Sequence, residues 1–115
     1  MQKGDLGERL YRYALEIIKL VDKMPKDISS KAVANQVIRS GTSVTANIRE
    51  AKGASSRKDY INFYTHALKS ANETELWLQL LIDAKEIECT ELLEETRQIA
   101  KILGASIITM KSKKI

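Results

Sequence analysis

The sequence of 115 residues is long enough for a single hydrophobic core, so we predict one domain over residues 1–115. Its 43% hydrophobic and 30% charged residues are typical of a globular protein and exclude a disordered chain. No run approaches the ~20 apolar residues of a membrane span, and the charged segment MQKGDLGERL lacks the apolar core of a signal peptide. A single cysteine, Cys89, excludes an internal disulfide. Together these observations lead us to expect a cytoplasmic protein.

The net charge of +4 is concentrated in one stretch of the chain. Residues 29–53 carry four basic and one acidic side chain, whereas residues 1–28 carry six and five. An excess of this kind makes nucleic acid a reasonable partner. Ordinary solubilising charge explains a value of +4 equally simply, and both interpretations remain open.

The first predicted helix runs from about Asp5 to Met24. Its apolar residues alternate steps of four and three, which is a heptad-like seam, at Leu6, Leu10, Tyr13, Ile17, Leu20 and Met24. Tyr11 lies off this seam and is expected to be partly exposed. Pro25 ends the helix because the residue before a proline is disfavoured in the helical region.

The second predicted helix begins at a cap on Ser29 or Ser30, continues to about Lys52, and is followed by Gly53 as a C-terminal glycine. Its core stripe is Val33, Val37, Gly41, Val44, Ile48 and Ala51. A second stripe beside the first is polar, short and almost uncharged: Gln36, Ser40, Ser43, Asn47 and Glu50. Such a stripe next to the core indicates a second buried surface, against another helix or another copy of the chain.

The third predicted helix opens at Ser56-x-x-Asp59, a capping-box-like pattern. Its inward face is Tyr60, Phe63, Ala67, Ser70 or Ala71, Thr74, Leu78 and Leu81, and further apolar residues, among them Leu76, Trp77 and Leu80, extend well beyond one stripe. Residues 83–88 are predicted to be a loop. The fourth helix begins near Thr90, with its seam at Leu92, Thr96, Ile99, Leu103, Ser106 and Met110.

Four helices joined by short connections predict an all-α fold, an antiparallel up-down-up-down four-helix bundle. Apolar residues flank each seam on both sides, so part of the surface is expected to be buried by self-association.

Two motifs make the resemblance to a known family specific. They are RSGTSVTANIREA (Arg39 to Ala51) and, after a serine-opened helix, ALKSANETELWLQLL (Ala67 to Leu81). The chain resembles, over nearly its whole length, the four-helix-bundle family that includes proteins encoded in intervening sequences of bacterial 23S ribosomal RNA genes. The common family pattern Asn-Ile-Ala-Glu-Gly is Asn47-Ile48-Arg49-Glu50-Ala51 here, and Lys69 stands where glycine is common.

The resemblance implies a fold, an assembly and a class of partners. Family members are antiparallel four-helix bundles that assemble into rings of five, so a homopentamer is expected. A related branch consists of basic accessory proteins of diversity-generating retroelements, which bind nucleic acid and a reverse transcriptase. The partners implied are the chain itself, structured RNA or DNA, and a nucleic-acid enzyme.

Carboxylates on the second and third helices raise the question of a metal or acid–base site. Bundles that hold two metals need Glu-x-x-His pairs, and the only histidine, His66, has Phe63 and Lys69 three residues away on either side. We therefore predict no catalytic site, no metal and no cofactor. Instead, Ser43, Asn47 and Glu73 are predicted to form a buried polar network between helices, because buried polar groups must be paired.

Five basic residues form the candidate site for nucleic acid: Arg39, Arg49, Lys52, Arg57 and Lys58. The planar fork of arginine suits phosphates, and the start of the third helix adds free backbone N–H groups. In a ring, one modest patch is repeated along one rim, which raises avidity. Two alternatives remain open: Arg39 and Arg49 pair with acidic residues across helices or subunits, and the protein is a structural or protein-interaction scaffold with no nucleic-acid role.

Overall fold

Four helices make up nearly all of residues 4–113, the part of the chain that the computed structural model describes, with side chains described from Leu6. They are α1 (Gly4–Asp22), α2 (Ile28–Ala51), α3 (Arg57–Lys85) and α4 (Thr90–Ser112). Each helix packs against its neighbours along the chain and α1 also packs against α4, whereas the described backbones of α1 and α3, like those of α2 and α4, do not approach each other closely. The helices therefore stand on the corners of a square in up-down-up-down order, which confirms the predicted four-helix bundle.

The bundle is elongated, with extents of 52 × 23 × 21 Å. The 29 residues of α3 alone account for most of that length, since a helix rises about 1.5 Å per residue. None of the described helices is long and apolar enough to cross a membrane.

The core is built from the predicted seams, with the buried face shifted on α4 and at the start of α3, where Tyr64 is buried and the predicted Phe63 is only half-buried. Leu10, Tyr13 and Ile17 of α1 and Val37 and Val44 of α2 are almost fully buried, as predicted. On α4, however, the buried positions beside Thr96, Ile99 and Leu103 are Leu93 and Ile107, and the predicted Leu92, Ser106 and Met110 are only half-buried. The face of α4 is thus rotated slightly from the predicted one.

Gly41 sets the distance between α1 and α2. A Cβ added at this position would lie 2.8 Å from Cδ1, 2.9 Å from Cγ1 and 3.0 Å from Cγ2 of Ile17. Ile17 is fully buried, so its side chain has no free space into which it can turn. A residue without a side chain at this position therefore permits the close approach of α1 to α2.

The sequence predicted the N-cap of α3 correctly and that of α2 incorrectly. Ser56 is the N-cap of α3 and accepts a hydrogen bond from the backbone N–H of Asp59, as the capping-box pattern predicts. The predicted cap of α2 at Ser29 or Ser30 is wrong, because Asp27 fills that position and accepts from the N–H of Ser30. The ammonium of Lys85 lies 2.7 Å from Asp27 Oδ2 and holds the pKa of that carboxyl below its usual range.

The helix ends also correct two predictions. Gly53 does not take the left-handed conformation of a glycine cap, since no described glycine has a positive φ. The left-handed residue is Glu86, with φ of 55°, at the end of α3. The N–H of Ile87 donates to the carbonyl of Leu81 and the N–H of Glu86 to that of Ile82, so α3 closes with a left-handed cap of the αL type, and it ends at Lys85, two residues beyond the predicted loop start at Asp83.

Candidate nucleic-acid interface

Three cations of the candidate site lie free at one end of the bundle. Arg49 belongs to the last turn of α2, Lys52 caps that helix, and Lys58 belongs to the first turn of α3. All three are exposed, and none forms an ion pair with an acidic side chain among the described residues. Their charges are therefore available to a ligand.

Arg39 does not belong with them. It precedes Arg49 by ten residues, which is about 15 Å along a helix. Its guanidinium pairs with the carboxylate of Glu73 on α3 and donates to Gln36 Oε1, at 2.7 Å from Nη2. Pairing with an acidic residue across helices, which was one alternative for both arginines, thus describes Arg39, whereas Arg49 has no such partner among residues 4–113 of its own chain.

The guanidinium of Arg57 is hydrogen-bonded to the protein backbone. Its Nη2 donates to the carbonyl oxygens of Met110 and Lys113, at the C-terminal end of α4. Those carbonyls have no partner within the helix, so a cation at this position satisfies them and complements the negative end of the helix dipole. The expectation that all five cations form one phosphate-binding cluster is corrected at Arg39 and at Arg57.

The antiparallel topology adds two lysines that the sequence analysis did not include in the site. The start of α1, the end of α2, the start of α3 and the end of α4 meet at one end of the bundle, here called the basic end and defined as residues 4–10, 46–62 and 106–113. It carries seven basic and four acidic residues, and its α4 segment contributes Lys111 and Lys113. The predicted up-down-up-down order of the helices already implied that these lysines lie at the same end of the bundle as Arg49.

The opposite end carries the opposite charge. Residues 22–31 and 82–94 make up this acidic end, and they contain four basic and seven acidic residues. The bundle therefore has a net charge of +3 at one end and −3 at the other. A polyanion approaching the protein is attracted to the basic end and repelled from the acidic end.

The predicted polar network has different partners from those expected. Asn47 is half-buried, and its amide donates to the carbonyl and the hydroxyl of Ser43, at 2.9 and 3.0 Å, within its own helix. The link between helices runs instead from the Ser70 hydroxyl to the Ser43 hydroxyl, at 3.2 Å. Glu73 pairs with Arg39 and accepts from the indole N–H of Trp77. The predicted interhelical bond of Asn47 is therefore wrong, whereas those of Ser43 and Glu73 are present. The predicted burial is also wrong, because all three residues are only half-buried.

A second polar cluster lies deeper and takes one residue from each helix. Ser40 and Thr74 hydroxyls are 2.8 Å apart, and those of Tyr13 and Thr96 are 2.6 Å apart, with all four residues almost fully buried. Thr96 Oγ1 donates its proton to the carbonyl of Leu92, so the Tyr13 hydroxyl is the donor to Thr96. Burial raises the pKa of Tyr13 to about 12.

The described residues offer no obvious metal ligands. No group of three or more His, Cys, Asp or Glu side chains within the described part of the chain is placed to hold an ion. His66 is exposed on α3. Cys89 is buried at the start of α4, and burial raises the pKa of its thiol.

Comparison with known proteins agrees with this architecture. The sequence profile described as 23S rRNA-intervening sequence protein matches residues 5–105. The chain is similar to a crystal structure of a protein of unknown function from the S23 ribosomal protein family of Bacteroides thetaiotaomicron VPI-5482, with 36% identity, a TM-score of 0.83, and coverage of 93% of this chain and 98% of that one. None of the curated proteins matches.

Proposed function

The chain belongs to the 23S rRNA-intervening sequence protein family, and on that premise we propose that it is a non-enzymatic, homo-oligomeric bundle that binds nucleic acid through its basic end. One observation carries the proposal: the fold gathers Arg49, Lys52, Lys58, Lys111 and Lys113 at one end, while the opposite end carries more acidic than basic residues. Exposed cations without acidic partners attract phosphates at long range and release counterions when they bind.

The ligand that fits these cations is a nucleic-acid backbone without strong sequence preference. Contacts to phosphates position a protein on its ligand without reading bases, and the basic end presents no motif that enters a groove. Structured RNA and duplex DNA are both candidates, and a nucleic-acid enzyme that works on the same strand is a candidate protein partner.

Two exposed apolar pairs support self-association. Leu15 and Ile18 lie on α1, and Leu76 and Leu80 lie on α3, each 39–52% exposed. Both pairs lie between one and three turns from the C-terminal end of their helix, so they stand at a similar height near the acidic end. Because α1 and α3 occupy opposite corners of the square, one pair can meet the other pair of the next copy, which is the contact that closes a ring.

The parent protein is expected to scatter light as an oligomer, with five subunits as the family resemblance implies, rather than as a monomer of 13.0 kDa. Leu76→Glu with Leu80→Glu is expected to dissociate it, because two charges would be buried in the contact. Ile108→Glu is the control, since Ile108 is 71% exposed and lies on α4 outside both pairs. A monodisperse parent monomer at micromolar concentration would refute the assembly.

Reversing the free cations is expected to remove binding to an RNA hairpin. The variant combines Arg49→Glu, Lys52→Glu and Lys58→Glu. For any binding that remains, the plot of the logarithm of the association constant against the logarithm of salt concentration is expected to be less steep by about one unit for each phosphate contact removed. The matched control is Lys23→Glu, Lys26→Glu and Lys31→Glu, which changes net charge equally at the other end, on residues that are exposed and form no ion pair within residues 4–113.

The comparison separates a site from a general charge effect. Circular dichroism and light scattering must first show that both variants keep the parent helix content and mass. Equal loss of binding in the two variants would mean that net charge alone is responsible and would contradict the proposed site. If the parent protein does not bind even at low salt, where attraction is strongest, the scaffold interpretation replaces this one.

A further inference from the structure

An open groove runs between the first half of α1 and the last turns of α2, next to the basic end. Its volume is about 340 Å³, at the lower end of the range of roughly 300–1,000 Å³ for small-ligand sites. Leu10 and Ile48 are buried among its lining residues, and Tyr11, Arg49 and Lys52 are exposed there.

The groove combines an aromatic surface with two cations. Tyr11 is 52% exposed although it is among the larger side chains of the protein, and it makes no hydrogen bond to another described residue. Arg49 and Lys52 stand one turn apart on α2 and line the same groove as Tyr11. The only hydroxyl in the lining besides that of Tyr11 belongs to Thr45, and it already donates to the Leu10 carbonyl at 2.7 Å.

Glu8 is the one acidic residue among the described side chains of the lining. Its carboxylate lies 3.6 Å from Nη1 of Arg12, one turn further along α1. Two cations on the α2 side and one partly neutralised carboxylate on the α1 side leave the groove positive, with its positive side next to α2. An anionic group is therefore expected to lie against α2, and a flat uncharged group against Tyr11.

We propose that this groove binds one unpaired nucleotide, with the base stacked on Tyr11 and the adjacent phosphate held by Arg49 and Lys52. The inference rests on the proposed function and narrows its ligand to a single-stranded segment, such as a loop or an end. A base held inside a duplex cannot reach Tyr11, whereas an unstacked base presents a face to the ring and keeps its phosphate within reach of α2. A free anion would contact only Arg49 and Lys52 and would make no contact with the exposed ring of Tyr11.

Two probes of equal charge distinguish stacking from simple attraction. One is a deoxythymidine oligomer of about ten nucleotides, and the other is an abasic oligomer of the same length. Tyr11→Ala is expected to weaken binding of the first by about 5- to 150-fold, the loss of one stacked base, and to leave binding of the second unchanged. Tyr11→Phe, which keeps the ring, is expected to bind both probes like the parent.

Filling the groove offers a test that does not remove any binding group. Gly7 belongs to the lining, and a Cβ added there would meet nothing within 4 Å. Gly7→Leu is therefore expected to stay folded and to bind the abasic oligomer like the parent. Its affinity for the thymidine oligomer is expected to fall by a factor similar to that for Tyr11→Ala. Gly104→Leu is the control, because Gly104 also has open space around it and lies on α4, away from the groove.

The results also separate this inference from the proposed function. If Tyr11→Ala binds the thymidine oligomer like the parent while reversal of Arg49, Lys52 and Lys58 abolishes binding, the base site is wrong and the phosphate site stands. If Tyr11→Ala changes the oligomeric mass, Tyr11 is an assembly contact and the base site is equally wrong. If the parent binds neither oligomer nor the RNA hairpin at low salt, both proposals fall.

Discussion

Gly41→Ala is expected to lower the free energy of unfolding by about 1–2 kcal/mol, although alanine is the better helix former. The new Cβ would lie within 3.0 Å of three atoms of Ile17, which is buried and β-branched. Overpacking a core of this kind costs about 1–3 kcal/mol, and the gain in helix propensity returns at most about 1 kcal/mol. Urea unfolding followed by circular dichroism measures the difference.

The sign of the effect depends on Ile17, and this dependence is the control. In an Ile17→Ala background the three contacting atoms are absent, so Gly41→Ala is expected to stabilise the protein by about 1 kcal/mol through helix propensity. Gly104→Ala should stabilise the parent similarly, because a Cβ there meets nothing within 4 Å. If Gly41→Ala stabilises the parent protein as Gly104→Ala does, α1 and α2 are not in close contact at this point.

Raising the pH from neutral to 12 is expected to destabilise the protein by about 2–3 kcal/mol through Tyr13 alone. Burial raises the pKa of Tyr13 to about 12, against about 10 in an unfolded chain. Between those values the unfolded state releases the phenolic proton and the folded state keeps it, so stability falls as pH rises. The difference of about two pKa units corresponds to the stated loss, at about 1.36 kcal/mol per unit.

Tyr13→Phe removes the group that titrates. The variant is expected to be less stable than the parent at neutral pH, since the bond to Thr96 is lost. It is also expected to lose less stability than the parent as the pH rises from about 9 to about 12, the range in which tyrosines titrate. A Tyr13→Phe variant with the parent slope would show that Tyr13 is not protected in the folded state.

The sequence predicted the helices and their order because apolar spacing is a local signal that survives into the structure. It was less reliable where two side chains compete for one role. Asp27 caps α2 in place of Ser29 or Ser30, since it also pairs with Lys85, which lies far away in sequence. Glu86 adopts a left-handed conformation that no glycine signalled, because backbone hydrogen bonds to the carbonyls of Leu81 and Ile82 hold it there.

The candidate site was predictable only in part, because its members are fixed by long-range contacts. Arg49 and Arg39 share one stripe of α2, and only the position of Glu73 on α3 distinguishes them. Arg57 is engaged by carbonyls of α4, which no local pattern reveals. Lys111 joins the basic end through the antiparallel topology, so it could have been placed there once the four helices were predicted.

The salt dependence of RNA binding by the parent protein tests the central claim most directly. An RNA hairpin is titrated by fluorescence anisotropy at salt concentrations from about 50 to about 200 mM. If Arg49, Lys52 and Lys58 each contact a phosphate, the logarithm of the association constant should fall with the logarithm of salt, with a slope of about −3 or steeper. A binding constant that does not change with salt, or no binding at the lowest salt, would contradict the account.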